Sequence, residues 1–315
     1  MNPTRRDALK LGTLAVTGAV VASHLPQTKA AEEPFDWKAG YVDGHSHIWS
    51  PDVKTWPLAN GQTAKDLAPP SFTDEELLKV AASVGVGRVV LIQHHPYHGM
   101  DNSYLLHAYK QHPGRFSVTA MVDETKPHVD ARMRELKEQG VRAFRITSLI
   151  RGKDTWLDGP GADLMWKTAA ATGQVLSTLI NPEDLAAVDR MCTKFPDTTV
   201  VIDHFGRLGM DGPAKKGDLD TYLALAKHKK VYCKLSAFYA LGYKKQPYDE
   251  LIPMIKQTID AYGVERCLWA SDAPYQMQGD NSYKSSIDLI KDRMDGLSAG
   301  DKKHLLRETA LKVYF

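Results

Sequence analysis

The run Tyr41-Val42-Asp43-Gly44-His45-Ser46-His47 is a short strand-like stretch that ends on two histidines. Stretches of the same kind recur seven more times: Arg88 to Gln93, Arg115 to Met121, Val141 to Ile146, Gln174 to Ile180, Thr198 to His204, Lys230 to Ser236 and Arg266 to Asp272. Between them lie segments with apolar residues three and four apart, such as Asp74 to Val84, His128 to Gln139, Pro182 to Phe195 and Tyr248 to Tyr262. That spacing is the signature of amphipathic helices. Eightfold strand and helix alternation predicts an α/β fold, a (β/α)8 TIM barrel, for which about 250 residues suffice.

An open doubly wound sheet alternates in the same way, but its nucleotide-binding forms carry a glycine-rich turn after the first strand. Here that turn is His45-Ser46-His47-Ile48-Trp49, and no G-x-G-x-x-G or phosphate loop occurs elsewhere. With no long internal repeat and no low-complexity linker, residues 31–315 read as one domain. Lys244 to Pro247 and Gln276 to Ser282 follow strand ends and are expected to be loops, the parts of a barrel that shape its substrate pocket.

Formal net charge is +2, but the first 30 residues hold four basic side chains and one acid, leaving 36 basic against 37 acidic groups in the remainder. That balance gives no electrostatic case for nucleic acid, and the expected partner is a small-molecule substrate. The basic excess sits in Thr4-Arg5-Arg6-Asp7-Ala8-Leu9-Lys10, ahead of a mildly apolar run from Leu11 to Ala22. This is the form of a twin-arginine export signal, with the small residues Thr28 and Ala30 before a cleavage point at Ala31. Residues 1–30 are therefore expected to be a signal peptide and the mature chain to be periplasmic or extracellular. The apolar run is shorter than the roughly 20 residues that span a bilayer, so no stable membrane insertion is expected after cleavage; an uncleaved anchor is the alternative. Cys192, Cys233 and Cys267 are odd in number and form no CxxC, which suits buried apolar fillers, although Cys233 and Cys267 fall on neighbouring strands where a bridge is conceivable.

Side chains two apart on a strand share a face, so His45 and His47 point to one side, rooted about 7 Å apart, where they can share a metal ion or a polarised water. A buried histidine is more often a hydrogen-bonded core residue. Position argues otherwise: His204, Asp272 and Arg145 also stand at strand ends, and catalytic groups of barrels converge from several strand C-termini. Asp272 has an alternative reading as a helix N-cap before Ala273-Pro274. Lys234 and Ser236 share a face of the seventh strand, and an inward lysine needs a buried anion or a substrate; a register shifted by one would turn Cys233 and Leu235 inward instead. His94, His95 and His98 either line the pocket or sit on a surface loop, and Arg151 and Tyr275 are candidates for gripping a carboxylate and for a hydrogen bond. Trp49, Trp56, Tyr97 and Tyr275 are candidates for stacking on a sugar-like ring, or simply pack.

Asp-Gly-His-Ser-His on the first strand, Phe-Arg on the fourth, Ile-Asp-His-Phe-Gly on the sixth and Ala-Ser-Asp-Ala-Pro on the eighth together resemble the amidohydrolase-related family. Asp101 to Leu106, Lys234-Leu235-Ser236 and Thr309 to Tyr314 resemble its sugar-lactone and dicarboxylate lactonase branch, over roughly Tyr41 to Phe315. The resemblance implies hydrolysis of a lactone or related ester by a water whose proton goes to Asp272. It implies that His45 and His47 hold a divalent metal or hydrogen-bond the substrate, that His204 orients or polarises the carbonyl, and that Arg145 binds a substrate carboxylate or hydroxyl; Lys234, His94 and Tyr275 complete the expected substrate contacts. Many metal-bearing relatives also have a histidine ending the fifth strand, or a carboxylate or lysine at the fourth. Ser177-Thr178-Leu179-Ile180-Asn181 and Arg145 stand there instead. That departure leaves one divalent zinc or manganese on His45, His47 and Asp272, three protein ligands suiting catalytic zinc, or a metal-independent mechanism. Non-oxidative decarboxylation of an aromatic or related acid is the competing chemistry, and an exported, non-catalytic binding barrel the competing class. The substrate stays open.

Overall fold

The computed structural model describes residues 35–150 and 156–315; the expected export signal and Arg151 lie outside them. Eight strands, β1 (Tyr41–Ser46), β2 (Val86–Ile92), β3 (Phe116–Ala120), β4 (Val141–Thr147), β5 (Val175–Leu179), β6 (Val200–Ile202), β7 (Val231–Leu235) and β8 (Cys267–Trp269), follow one another in sheet order. All seven neighbouring pairs are parallel. A parallel bridge between Ser46 and Ala273 brings the chain beyond β8 back to β1, where the Asp272 N–H donates to the His45 carbonyl at 2.9 Å and the His47 N–H to the Ala273 carbonyl at 2.8 Å. The barrel is thus nearly closed, with helices between its strands. No helix among the described residues is long and apolar enough to cross a membrane.

Local chemistry sets the helix starts. Thr73 accepts from the Glu76 N–H while Glu76 accepts from the Thr73 N–H at 2.7 Å, the reciprocal cap that begins a helix at Asp74. The segments expected from Pro182 and from Tyr248 each open with a short 3-10 turn before helices Leu185–Lys194 and Ile252–Tyr262.

Apolar side chains form two clusters. The larger fills the layer between strands and helices. The smaller joins Val42, Val90, Val201, Tyr232 and Leu268 to Val313 and Tyr314 of the helix Thr309–Tyr314. Tyr314 is fully buried: its carbonyl accepts from Ser117 Oγ at 2.7 Å, its hydroxyl meets Ser177 Oγ at 3.0 Å, and Lys234 Nζ lies 5.2 Å from its ring centre. Cys192, Cys233 and Cys267 are buried and free, as their composition suggested, with 3.4 Å between the Cys233 and Cys267 sulfurs.

Two irregularities carry the site. Strand β1 has a register shift against β2 between Asp43 and Ser46. This bulge lets Val42 join the inner cluster while His45, three residues on, also reaches inward to Lys234; unbroken alternation would turn one of them out. A Cβ on Gly44 would stand 2.6 Å from Leu268 Cδ1 and 3.1 Å from the Trp269 carbonyl, so β1 and β8 approach this closely because Gly44 has no side chain. Strands β6 and β8 are shorter than predicted because the backbone leaves the sheet early. His204, Phe205, Gly206 and Arg207 have φ of 53°, 55°, 63° and 58°, and Asp272 has φ of 65°. Left-handed backbone costs about 1–2 kcal/mol per non-glycine residue, and such outliers cluster at functional sites.

Candidate active site

His45, His47, His94, Arg145, His204, Asp272 and Tyr275 gather at the C-terminal mouth of the barrel. A cavity of about 370 Å³ opens there, lined by His47, His94, Arg145, His204, Asp272 and Tyr275 together with Arg207 and Tyr239. His45 lies just beneath, fully buried.

The core of the site is a triangle of atoms. His45 Nε2 is 3.3 Å from His47 Nε2 and 3.3 Å from Asp272 Oδ1, and His47 Nε2 is 3.5 Å from the same oxygen. Three ligands at the 2.0–2.1 Å usual for zinc stand about 3.3 Å from one another in a tetrahedron, so the residues present fit a single divalent ion. Their hydrogen bonds agree. His47 Nδ1 donates to the Ile92 carbonyl at 2.9 Å, which fixes the Nδ1 proton and leaves Nε2 as the ring's ligand atom. His45 Nδ1 has two neighbours of opposite kind, Lys234 Nζ at 3.2 Å and Asp203 Oδ1 at 3.7 Å. The ammonium can only donate, so a ring whose Nε2 serves as ligand turns its Nδ1 proton toward the Asp203 carboxylate, 3.7 Å away. Burial, reinforced by Lys234, lowers the His45 imidazole well below its ordinary pKa, which keeps the ring neutral and able to coordinate.

Asp272 has two distinct oxygens. Oδ1 belongs to the triangle; Oδ2 accepts from the Tyr239 hydroxyl at 2.8 Å and lies 3.8 Å from His204 Nε2. Burial pushes this carboxyl up, but the imidazoles of His204, His47 and His45 outweigh it and hold it below the usual range. Burial lowers the His45 and His204 imidazoles as well, and of these two rings it is His204 whose Nε2 turns an N–H toward Asp272. The N-cap alternative does not hold: Pro274, not Asp272, caps the turn that follows.

His204 Nδ1 meets Ser236 Oγ at 2.8 Å. With the serine donating, His204 Nε2 carries the proton and donates toward the cavity. Arg145 extends from β4 to the cavity, its Nε 3.8 Å from Asp203 Oδ2 and without a hydrogen bond of its own. His94 Nε2 and the Tyr275 hydroxyl are 2.6 Å apart.

Lys234 points inward in the predicted register, but it does not line the cavity. It is fully buried, with its Nζ 2.9 Å from Asp203 Oδ1, so the buried anion it needs is that aspartate and not a substrate. Trp49 is also fully buried, donating to the Pro69 carbonyl and packing on His94 and Tyr97. Trp56 packs on Tyr104 and His107, and the Tyr97 hydroxyl accepts from the Ala68 N–H. Of the four aromatics, Tyr275 alone lines the cavity.

Residues 42–315 match the sequence model of the Amidohydrolase family, Amidohydro_2. The chain belongs to this family. The L-fucono-1,5-lactonase of Burkholderia ambifaria is 26% identical over 239 residues, 74% of this chain and 80% of its own. The 4-sulfomuconolactone hydrolase of Hydrogenophaga intermedia is 24% identical over 257 residues, 80% of this chain and 78% of its own. An amidohydrolase of Burkholderia multivorans with bound zinc superposes with a TM-score of 0.73 at 20% identity, over 88% of this chain and 99% of that one, a likeness of fold.

Three residues of this amidohydrolase's site escape the sequence reading. Asp203 precedes His204, and strict alternation would send the two to opposite faces; the left-handed turn at His204 lets both serve the interior. Tyr239 follows β7 in a turn entered through Ala237 at φ 56°, where no periodic signal exists. Asp43 binds the β1–β8 seam, accepting from Ser271 Oγ at 2.5 Å, the Ser271 N–H at 2.8 Å, the Tyr283 hydroxyl at 2.7 Å and the His45 N–H at 3.0 Å.

Proposed function

We propose that this amidohydrolase hydrolyses a lactone, with Asp272 taking the proton of the attacking water, and that it works outside the cytoplasm after loss of residues 1–30. The observation that carries the reading is the divided carboxylate. One Asp272 oxygen closes the triangle with His45 and His47, and the other opens toward the cavity, flanked by His204 and Tyr239. A divalent ion, zinc or manganese, held by His45, His47 and Asp272 would supply Lewis-acid polarisation of the lactone carbonyl.

The chain's own groups do the rest. Asp272, ionised, accepts the water's proton, a contribution of about 10²–10⁴-fold for a well-placed base. His204 Nε2–H donates to the carbonyl oxygen as negative charge develops there. Arg145 lines the same cavity and grips a carboxylate or hydroxyl of the substrate with its guanidinium, and the His94–Tyr275 pair offers a hydrogen bond to a ring hydroxyl. The names of the two curated relatives support a lactone as substrate, and the amino-terminal Arg5-Arg6 pattern supports export.

The test is acid release from a panel of sugar and dicarboxylate lactones by the purified mature chain, with metal content measured before and after chelation. About one equivalent of zinc or manganese, with activity lost on chelation and restored by the ion, is expected. Hydrolysis without metal would move carbonyl polarisation to Arg145 and the histidines. Release of carbon dioxide from aromatic acids, with every lactone intact, would overturn the reading in favour of decarboxylation.

A further inference from the structure

Lactone hydrolysis moves two protons, and the assignment above places one of them. The attacking water loses a proton to Asp272, and the ring oxygen that departs from an ordinary lactone leaves as the anion of a weakly acidic alcohol, which needs a proton in turn. Tyr239 stands between these two events. Its hydroxyl donates to Asp272 Oδ2, the oxygen turned away from the triangle, at 2.8 Å, and its side chain lines the cavity. The backbone places it there through the left-handed Ala237 at the end of β7. The other cavity phenol, Tyr275, is engaged with His94 at 2.6 Å.

We propose that Tyr239 is a second catalytic residue, relaying to the departing ring oxygen the proton that Asp272 takes from water. The inference rests on the lactone-hydrolase reading. The steps balance. A water O–H bond breaks toward Asp272 Oδ2 as the water oxygen bonds to the acyl carbon. The bond from acyl carbon to ring oxygen then breaks, and its electron pair stays on the ring oxygen, which takes the Tyr239 hydroxyl proton. Tyr239 recovers a proton from the Asp272 carboxyl, which is again a carboxylate. An sp² carboxylate oxygen has two lone pairs, so Oδ2 receives the water's proton on one while Tyr239 occupies the other.

The relay matters only when the leaving oxygen is basic, and leaving-group identity therefore tests it. Wild type and Tyr239→Phe are compared on an alkyl lactone, which releases an alkanol, and on an aryl lactone, which releases a phenol stable as its anion. We expect kcat to fall by about 10²–10⁴-fold on the alkyl lactone, the range of general acid catalysis, and to change little on the aryl lactone. Tyr239→Gln, which keeps a donor on Asp272 but cannot pass a proton, should show the same selective loss. Equal losses on both lactones, no loss on either, or full alkyl-lactone activity in Tyr239→Gln would overturn the relay while leaving the hydrolase reading in place. Failure of the wild type to hydrolyse either lactone would remove both.

Discussion

Replacing Lys234 by methionine isolates the electrostatics of the barrel interior, because methionine fills much of the same aliphatic volume and removes the charge. Lys234 and Asp203 are both fully buried, 2.9 Å apart. Without the ammonium, Asp203 keeps Arg145 at 3.8 Å and His45 at 3.7 Å, neither within hydrogen-bond distance. Removing one partner of a buried pair costs about 3–5 kcal/mol. At about 2–4 °C per kcal/mol for a chain of this size, the thermal midpoint should fall by about 6–20 °C. Urea unfolding should show a lower midpoint with an unchanged slope. Adding Asp203→Leu removes the stranded charge and should recover most of the loss, so a double-mutant cycle reads a coupling of about 2 kcal/mol or more. The pH dependence has a definite sign. Burial pushes the Asp203 carboxyl up, but Lys234, His45 and Arg145 together outweigh it and hold the group well below its ordinary value. A depressed carboxyl contributes stability that is present above its unfolded pKa of about 3.9 and is lost as pH falls toward the folded value. Wild type should therefore lose more stability below about pH 4 than the double variant does. A cost under about 1 kcal/mol for Lys234→Met, the level of an exposed ion pair, would refute the reasoning.

Three further outcomes are expected. Asp272→Asn keeps the shape but cannot take a proton, so kcat should fall by about 10²–10⁴-fold with the circular dichroism spectrum retained; activity near wild type would exclude Asp272 as the base. Arg145→Met should raise KM by about 10–100-fold for lactones bearing a carboxylate, the worth of a hydrogen bond to a charged group, and leave neutral lactones almost unaffected, which steady-state kinetics on a matched pair would check. Gly44→Ala should lower stability by about 1–3 kcal/mol through overpacking, because its methyl group meets Leu268 and the Trp269 carbonyl; a neutral result in urea unfolding would mean that the β1–β8 seam yields.

The alternation of short apolar runs and amphipathic segments was enough to count the strands, because a parallel barrel buries each strand on both faces and leaves the helices to carry the 3.6-residue period. The convergence of His45, His47, His204 and Asp272 was legible from their places at strand ends. What the sequence hid is how the backbone departs from ideal strands there. The inward direction of both Val42 and His45 rests on a bulge that two-residue alternation does not contain, and β6 and β8 stop short in left-handed turns that only tertiary packing sustains. Lys234 shows the same limit from the other side. Its inward direction followed from register, but its partner, Asp203, comes from the turn after β6, and periodicity along one strand says nothing about which neighbour lies opposite.

The β1–β8 seam links assembly of the site to completion of the fold. His45 and Asp272 lie near opposite ends of the barrel's sequence, yet the Asp272 N–H donates to the His45 carbonyl and their side chains meet at 3.3 Å. Contacts between such distant segments form late, because the loop between them must close first. The triangle is therefore completed only when the first and last strands meet. An ion bound there would act as a clasp across the one joint by which the ring can open, favouring the closed state by mass action. Unfolding followed in time should then slow as zinc is added, even with no substrate present.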